Sequence, residues 1–459
     1  MVTLKSFLGM IAAVPFIMAC NQTGQVNATL FPASGSENVN PDTHLVLTFS
    51  ETPVLGDSGM IRVYDAVTDQ VVDSLDLSIP SGPTESRTYG PECDYTKVPY
   101  DYTRTVVPTN KDTRPGTPSG TAEPTPPVYQ LTIIGGFTDA FHFYPVIVRD
   151  SIATIYLHNN MLEYGHTYYV TIDNGVLNLA DGSFQGVTKE DEWTFTTKSD
   201  MPELSDTLIV DATGKGDFNT VQGALDFIPD FNEQQTVILV NPGDYEELVY
   251  TRNKWNVKIK GAGMADTKVH YANNEVFNPH PLTVKTNEWP GTFPSRRAAF
   301  MLDNCKDIVI EDMTIATDLK GQAEGLLING ERIALYRVHI IGSGDALQAN
   351  GTIYMESCEL DGGGDTILGR GSLFAYKSNF RNGGGPFSWV RNTAGNHGNV
   401  FVECTFSTED GKQADYGRTK SNHGSAYPDA EFVLIDCKVK NIIPEGWSSI
   451  GAKTAKMYV

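Results

Sequence analysis

Positive charge is scarce in this chain. Its 459 residues hold 34 Lys and Arg against 56 Asp and Glu, a formal net charge of −22. A phosphate backbone demands a basic face, so this balance excludes nucleic acid as a partner. Long apolar runs are absent as well. No segment beyond the first 20 residues is apolar for long enough to cross a membrane. No Gly-x-Ser-x-Gly occurs, which removes the serine-esterase elbow. The nine histidines are scattered, no ligand cluster has metal spacing, and no cofactor is expected. Cysteine is limited to six residues. What remains, 40% hydrophobic and 20% charged residues over this length, suits two globular domains.

The N-terminus is an export signal in composition. Lys5 precedes the short apolar run "FLGMIAAVPFIMA", which ends at Cys20. Residues 1–19 therefore read as a signal peptide. The ending "IMAC" resembles a bacterial lipobox, which implies cleavage before Cys20 and a lipid on its sulfur. The alternative is a plain signal peptide with an incidental cysteine. The expected location is the bacterial cell envelope, lipid-anchored at the outer membrane or cell surface, or otherwise secreted. With Cys20 lipidated, five cysteines are left, an odd number that cannot all pair.

Two rhythms follow. Over residues 20–199 short alternating runs ("LVLTFS", "MIRVYD", "ATIYL", "TYYVTI", "EWTFTT") are separated by turn clusters, the pattern of a β-sandwich. Its two ends resemble a bacterial Ig-like domain. Between them a Pro/Thr-rich stretch near 85–127, holding Cys93, reads as an exposed and partly disordered insertion. "KSDMPELSD" is a polar linker. Beyond it "DFNTVQGALDFIP" reads as an amphipathic helix with Val221, Ala224, Leu225 and Ile228 on one face.

From there a strand phrase repeats: "IEDMTI", "LYRVHI", "YMESCEL", "AYKSNF", "FVECTF", "LIDCKV". Aligned, it puts Met313, Val338, Cys358, Ser378, Cys404 and Cys437 in one column. Ile315, Ile340, Leu360, Phe380, Phe406 and Val439 form a second. Intervals of 25, 20, 20, 26 and 33 residues, with no helix between, describe a solenoid of β-turns, a parallel β-helix. In the column, Cys358, Cys404 and Cys437 read as core thiols; one disulfide among them is the alternative.

The register singles out two aspartates. Asp345 follows Val338, and Asp365 follows Cys358, by the same seven residues. They occupy one site on consecutive turns, stacked at about one strand spacing of 4.8 Å. Two carboxylates so close cannot comfortably both ionise, so one pKa should rise while the other stays low. Glycines flank them at 362–364 and, one turn on, at 383–385, and would open a groove for an extended polymer. A Gly-Asp pair by itself is an ordinary turn; two in register beside a glycine cleft point to chemistry.

Several phrases in order now carry a resemblance. "GKGDFNTVQGALDFIP", "VNPGDYEELV", "IKGAG", "GQAEGLLI", "GDALQ", "GDTILG", "DYGRTK" and "IIPEGW" resemble the motifs of the pectin methylesterases. That family consists of carbohydrate esterases on a right-handed parallel β-helix. The resemblance covers residues 206–459. It implies an all-β protein in which an Ig-like β-sandwich precedes a β-helix catalytic domain that removes methyl esters from galacturonate units of pectin. By it, Asp365 is the nucleophile, Asp345 the acid and then the base, Gln322 the oxyanion donor, and Arg418 the group that holds Asp365 ionised.

Two positions depart from the family. Its second glutamine falls on Gly344, with Gln348 nearby, and its sugar-stacking Trp falls on Lys420. Trp389, Trp447 and Tyr416 could replace the lost platform, and Arg370, Arg391 and Lys420 could bind uronate carboxylates. The expected partners are pectin (homogalacturonan) and, through the lipid, a membrane; the chain is expected to be a monomer. Two alternatives stay open: a non-catalytic pectin-binding or adhesion protein, and an esterase for a differently substituted uronate.

Overall fold

A computed structural model of the chain describes residues 26–84, 102–104, 120–124, 129–137, 140–204, 207–278, 295–419, 427–447 and 455–459. Residues 1–19, read above as a signal peptide, and Cys20, Cys93 and Lys420 lie outside the described residues. Each of the five strand-like phrases of the N-terminal half contains a strand, among them Leu45–Thr48, Met60–Asp65 and Thr167–Ile172. Four- and five-stranded sheets face each other across a core of Leu47, Ile61, Val63, Ile155, Val170 and Trp193. Alternate residues of each strand enter that core because side chains alternate across the pleat. Trp193 is fully buried and its indole N–H donates to the Pro32 carbonyl at 2.8 Å. Part of the stretch expected to be irregular is strand instead. Tyr102–Arg104 pairs with Gly120–Pro124, which pairs with Leu131–Ile133.

The C-terminal half is one sheet of 20 strands, from Thr207–Val210 to Lys456–Tyr458, coiled as a parallel β-helix. Every ladder in it is parallel, and the second column is one continuous stack. Ile315 pairs with Ile340, Ile340 with Leu360, Leu360 with Phe380, Phe380 with Phe406, and Phe406 with Val439. Five of the six are in the main core, while Val439 at the end is 42% exposed. The corner before the first column has its own cause. Asp312, Arg337, Ser357, Lys377, Glu403 and Asp436, each one residue before a column member, all have φ between 48° and 60°. A left-handed residue at the same point of each turn swings the chain onto the next face, although none of them is glycine. Cys305, Cys358, Cys404 and Cys437 are free thiols.

The single helix among the described residues, Val221–Phe227, is shorter and less amphipathic than its sequence suggests. Val221, Ala224, Leu225 and the C-cap Ile228 enter the core, but every residue of the helix is buried. The polar face is covered by the sandwich. Asn159 and Asn160 donate to Asp226 at 2.8 and 3.0 Å, and Asp42 accepts the backbone N–H groups of Asn219 and Thr220. Around the corner Phe137 and Phe141 pack with Tyr250, Tyr271, Met301 and Leu327. The polar segment between the halves is held too, since Lys198 Nζ donates to the Gly216 carbonyl at 2.8 Å. The halves meet as one packed body.

Glu247 at this junction gives a pH-dependent contribution to stability. It accepts the N–H groups of Val221 and Gln222 at 2.8 and 2.9 Å, yet burial pushes its carboxyl from 4.5 up to about 7. A carboxyl raised on folding contributes stability that is full below pH 4.5 and is lost as pH rises through about 7. Thermal melts of Glu247→Gln beside the native chain are expected to show a shallower decline between those pH values. Parallel declines would contradict this.

Candidate active site

The site is built from turns that precede one face of the β-helix. Leu326 pairs with Leu347, and Leu347 with Ile367, on three successive turns. Two residues before each stand Glu324, Asp345 and Asp365. The two aspartates seen in the sequence are thus the upper members of a ladder of three carboxylates. All three are buried, with exposures of 0%, 8% and 5%. Backbone stacking aligns them: the Asp365 N–H donates to Asp345 Oδ1 at 3.0 Å.

A guanidinium closes each end of the ladder. Arg418 grips Asp365 with both arms, Nε to Oδ1 at 2.9 Å and Nη2 to Oδ2 at 2.5 Å. This fork matches the ionised carboxylate. Arg297 grips Glu324 with Nε at 2.9 Å from both oxygens and Nη2 at 2.6 Å, and reaches Asp345 Oδ2 at 3.1 Å. Its other arm donates to Glu275 at 2.8 Å and to the Gln322 carbonyl oxygen at 2.6 Å. Burial alone would depress Arg297, but Glu324, Asp345 and Glu275 outweigh it and raise its pKa.

Burial pushes the Asp345 carboxyl up to about 7; Arg297 opposes the rise, and Glu324 and Asp365 add to it. Burial also raises Asp365, against the pull of Arg418 and Arg391. Both aspartates therefore move upward, where the sequence suggested that one stays low, because burial acts on both. What separates them is the partner: only Asp365 has both oxygens in a guanidinium fork.

The remaining candidates fall into two groups. Trp389 follows Leu368 in the outward row and lies between two cations, with the Arg418 and Arg391 guanidinium carbons 4.0 and 4.3 Å from its ring. Arg391 is only 4% exposed, and its Nε and Nη2 have no hydrogen-bond partner among the described residues. Burial pushes its pKa down to about 10, with Arg370 adding to the effect. Arg370 itself borders a neighbouring groove of about 460 Å³ with Lys306, Asn350 and Asn396. Trp447 is packing: its ring lies 5.2 Å from both Tyr416 and Phe432, against Gly417. Gln348 is wholly buried in the row of Leu327 and Leu368, with neither amide atom bonded among the described residues.

The glycines do not open a groove. A Cβ on Gly364 would stand 2.6 Å from the Gly344 carbonyl oxygen, and one on Gly385 would stand 2.6 Å from that of Gly364. Their missing side chains let successive turns stack backbone on backbone, which brings Asp345 and Asp365 together. Gly344 obeys the same constraint, since a Cβ there would meet the Gly321 oxygen at 2.8 Å. A glutamine cannot stand at that position on this backbone.

Among the described residues one group of metal-type donors, Glu246, His270 and Asp318, gathers its atoms within 4.8 Å. Arg149 already occupies it, 2.5 Å from Glu246 and 3.8 Å from Asp318, and its charge opposes a metal ion there.

The family profile described as Pectinesterase matches residues 207–456, more than half of the chain. The chain belongs to the pectinesterase family. It is similar to "Pectinesterase QRT1" of Arabidopsis thaliana, 28% identical over 258 residues, covering 52% of this chain and 64% of that protein. It is also similar to "Probable pectinesterase 8" of the same plant, 25% identical over 259 residues, covering 53% and 62%. It thus spans less than two thirds of the length of these two pectinesterases. Among solved structures, carrot pectin methylesterase has a TM-score of 0.44 at 17% identity, covering 54% of this chain and 78% of that one. Pectin methylesterase PemA of Erwinia chrysanthemi has a TM-score of 0.42 at 16%, covering 56% and 93%.

Arg297, Glu324 and Glu275 were not legible as site residues. Glu324 had a signal, since it stands two residues before Leu326 as Asp345 does before Leu347. It lacks the Gly-Asp phrase that marks the other two.

Proposed function

We propose that this pectinesterase-family chain hydrolyses the methyl esters of galacturonate units in homogalacturonan, releasing methanol and leaving pectate. The observation that carries the reading is Asp365 in the fork of Arg418, its backbone N–H on Asp345, whose carboxyl burial pushes up to about 7. An Asp365 oxygen attacks the C6 carbonyl and forms an acyl bond. The C6–O bond to the methoxy group breaks, and the Asp345 proton goes to the departing oxygen, giving methanol. Asp345, now ionised, takes a proton from water, whose oxygen attacks the acyl carbon and frees Asp365 as carboxylate. The Gln322 amide nitrogen donates to the oxyanion. Methanol release from highly methylesterified homogalacturonan tests the reading. Acetate release from an acetylated polymer without methanol would replace it with a different ester.

Arg391, Trp389 and Arg370 are proposed to line the polymer path, with free uronate carboxylates on the arginines; Lys420, at the position of the family's sugar-stacking Trp, joins them, and Trp447, packed on Tyr416 and Phe432, does not. A buried guanidinium whose Nε and Nη2 donate to no carboxylate among the described residues costs stability until an anion arrives. Arg391→Leu is therefore expected to stabilise the fold by about 1–3 kcal/mol and raise KM about tenfold. Melting and saturation curves check both, and a lower melting temperature with unchanged KM would oppose the role. Export, a lipid on Cys20, an Ig-like origin for the sandwich and a monomeric state complete the proposal.

A further inference from the structure

Arg297 is the most heavily committed side chain of the site. It lies three residues before Phe300, where Phe300 begins the strand Phe300–Thr317, and its side chain is 11% exposed. One planar guanidinium touches Glu275, Gln322, Glu324 and Asp345. Gln322 is otherwise an exposed side chain, free to turn. With its carbonyl oxygen tied to Arg297 at 2.6 Å, its amide nitrogen is turned away from the cation. The same guanidinium holds Asp345 Oδ2, while the backbone of the next turn holds Oδ1.

A cation 3.1 Å from a general acid should strip its proton. Glu324 answers that difficulty. It is completely buried and takes both the Nε and one Nη of Arg297, so the charge of the cation is spent on it. Asp345 is faced by Arg297, Glu324 and Asp365, and Asp365 by Arg418, Arg391 and Arg297. Removing Glu324 would leave Arg297 to act on Asp345 at full strength.

We infer that Arg297 is a positioning residue that orients the Gln322 amide and the Asp345 carboxyl as one unit, with Glu324 neutralising it so that Asp345 keeps its proton. This rests on the ester-hydrolysis reading above and adds two residues to it. Fork geometry is essential, because an ammonium cannot hold four partners in one plane.

Two single variants of the full chain separate the roles. Arg297→Lys keeps the charge and loses the fork. Its kcat for methanol release is expected to fall about 10²-fold, the scale of losing an oxyanion donor, with the alkaline limb of the pH profile in place. Glu324→Gln keeps the fork and frees the charge. Its alkaline limb is expected to move about one pH unit lower. A residue that only supports the fold would lower the melting temperature and move neither. Native kcat in a folded Arg297→Lys, or an unshifted limb in Glu324→Gln, overturns the inference. Carbon-13 titration of the Asp345 carboxyl keeps the test independent of turnover. Should the native chain release no methanol, the ester reading fails by itself. A lower Asp345 pKa in Glu324→Gln then still supports the ladder, and an unchanged one overturns it.

Discussion

Asp365→Asn is expected to cut methanol release on the order of 10⁴-fold, as removal of a nucleophile does, while the protein still folds and binds the polymer. The amide cannot attack a carbonyl, and nothing else at the site replaces it. Asp345 lacks the guanidinium fork that keeps a carboxylate ionised, and Glu324 has its oxygens on Arg297. Folding survives because the asparagine keeps the shape, and because Asp365 was itself held against a burial penalty. Losing the charged hydrogen bonds to Arg418 should cost about 1–3 kcal/mol. Native methanol release by the variant would remove Asp365 from the mechanism. If neither protein releases methanol and both bind pectin, the chain is a binding protein on this scaffold.

Asp345→Asn tests the other half of the pair. Its kcat is expected to fall about 10²- to 10⁴-fold, the range for general acid–base groups. The more telling change is in the pH profile. In the native chain burial pushes the Asp345 carboxyl up to about 7, so under the proposed mechanism activity is expected to fall as pH rises through that value. In the variant that limb has no group to produce it, and the remaining activity should be flat there. An alkaline limb that persists at the same pH would assign it to another residue.

Much of the catalytic half can be read from the chain because a solenoid turns spacing into neighbourhood. Val338, Cys358 and Ser378 recur at intervals of 20 residues, and each interval is one turn. Asp345 and Asp365 were therefore placeable side by side without coordinates. Arg297 was not. It bonds to groups from 22 to 48 residues away through a long side chain, and reach of that kind leaves no period in a sequence. The glycines misled for a related reason. A missing Cβ is equally consistent with an open cleft and with a neighbouring backbone in its place, and only the turn above Gly364 decides between them.

The helix teaches the same lesson in reverse. Val221, Ala224 and Leu225 announced an inward face, but nothing local announced that Asn159 and Asn160 would cover Asp226. By itself the sequence determined the repeated strand phrases, their column and the register of the aspartates. These depend on periods along the chain. Tertiary structure alone decided the burial of Arg391, the third carboxylate with its own arginine, and the docking of the sandwich on the β-helix. Those depend on which surfaces meet, and an energy set by burial exists only once another part of the chain has displaced the water.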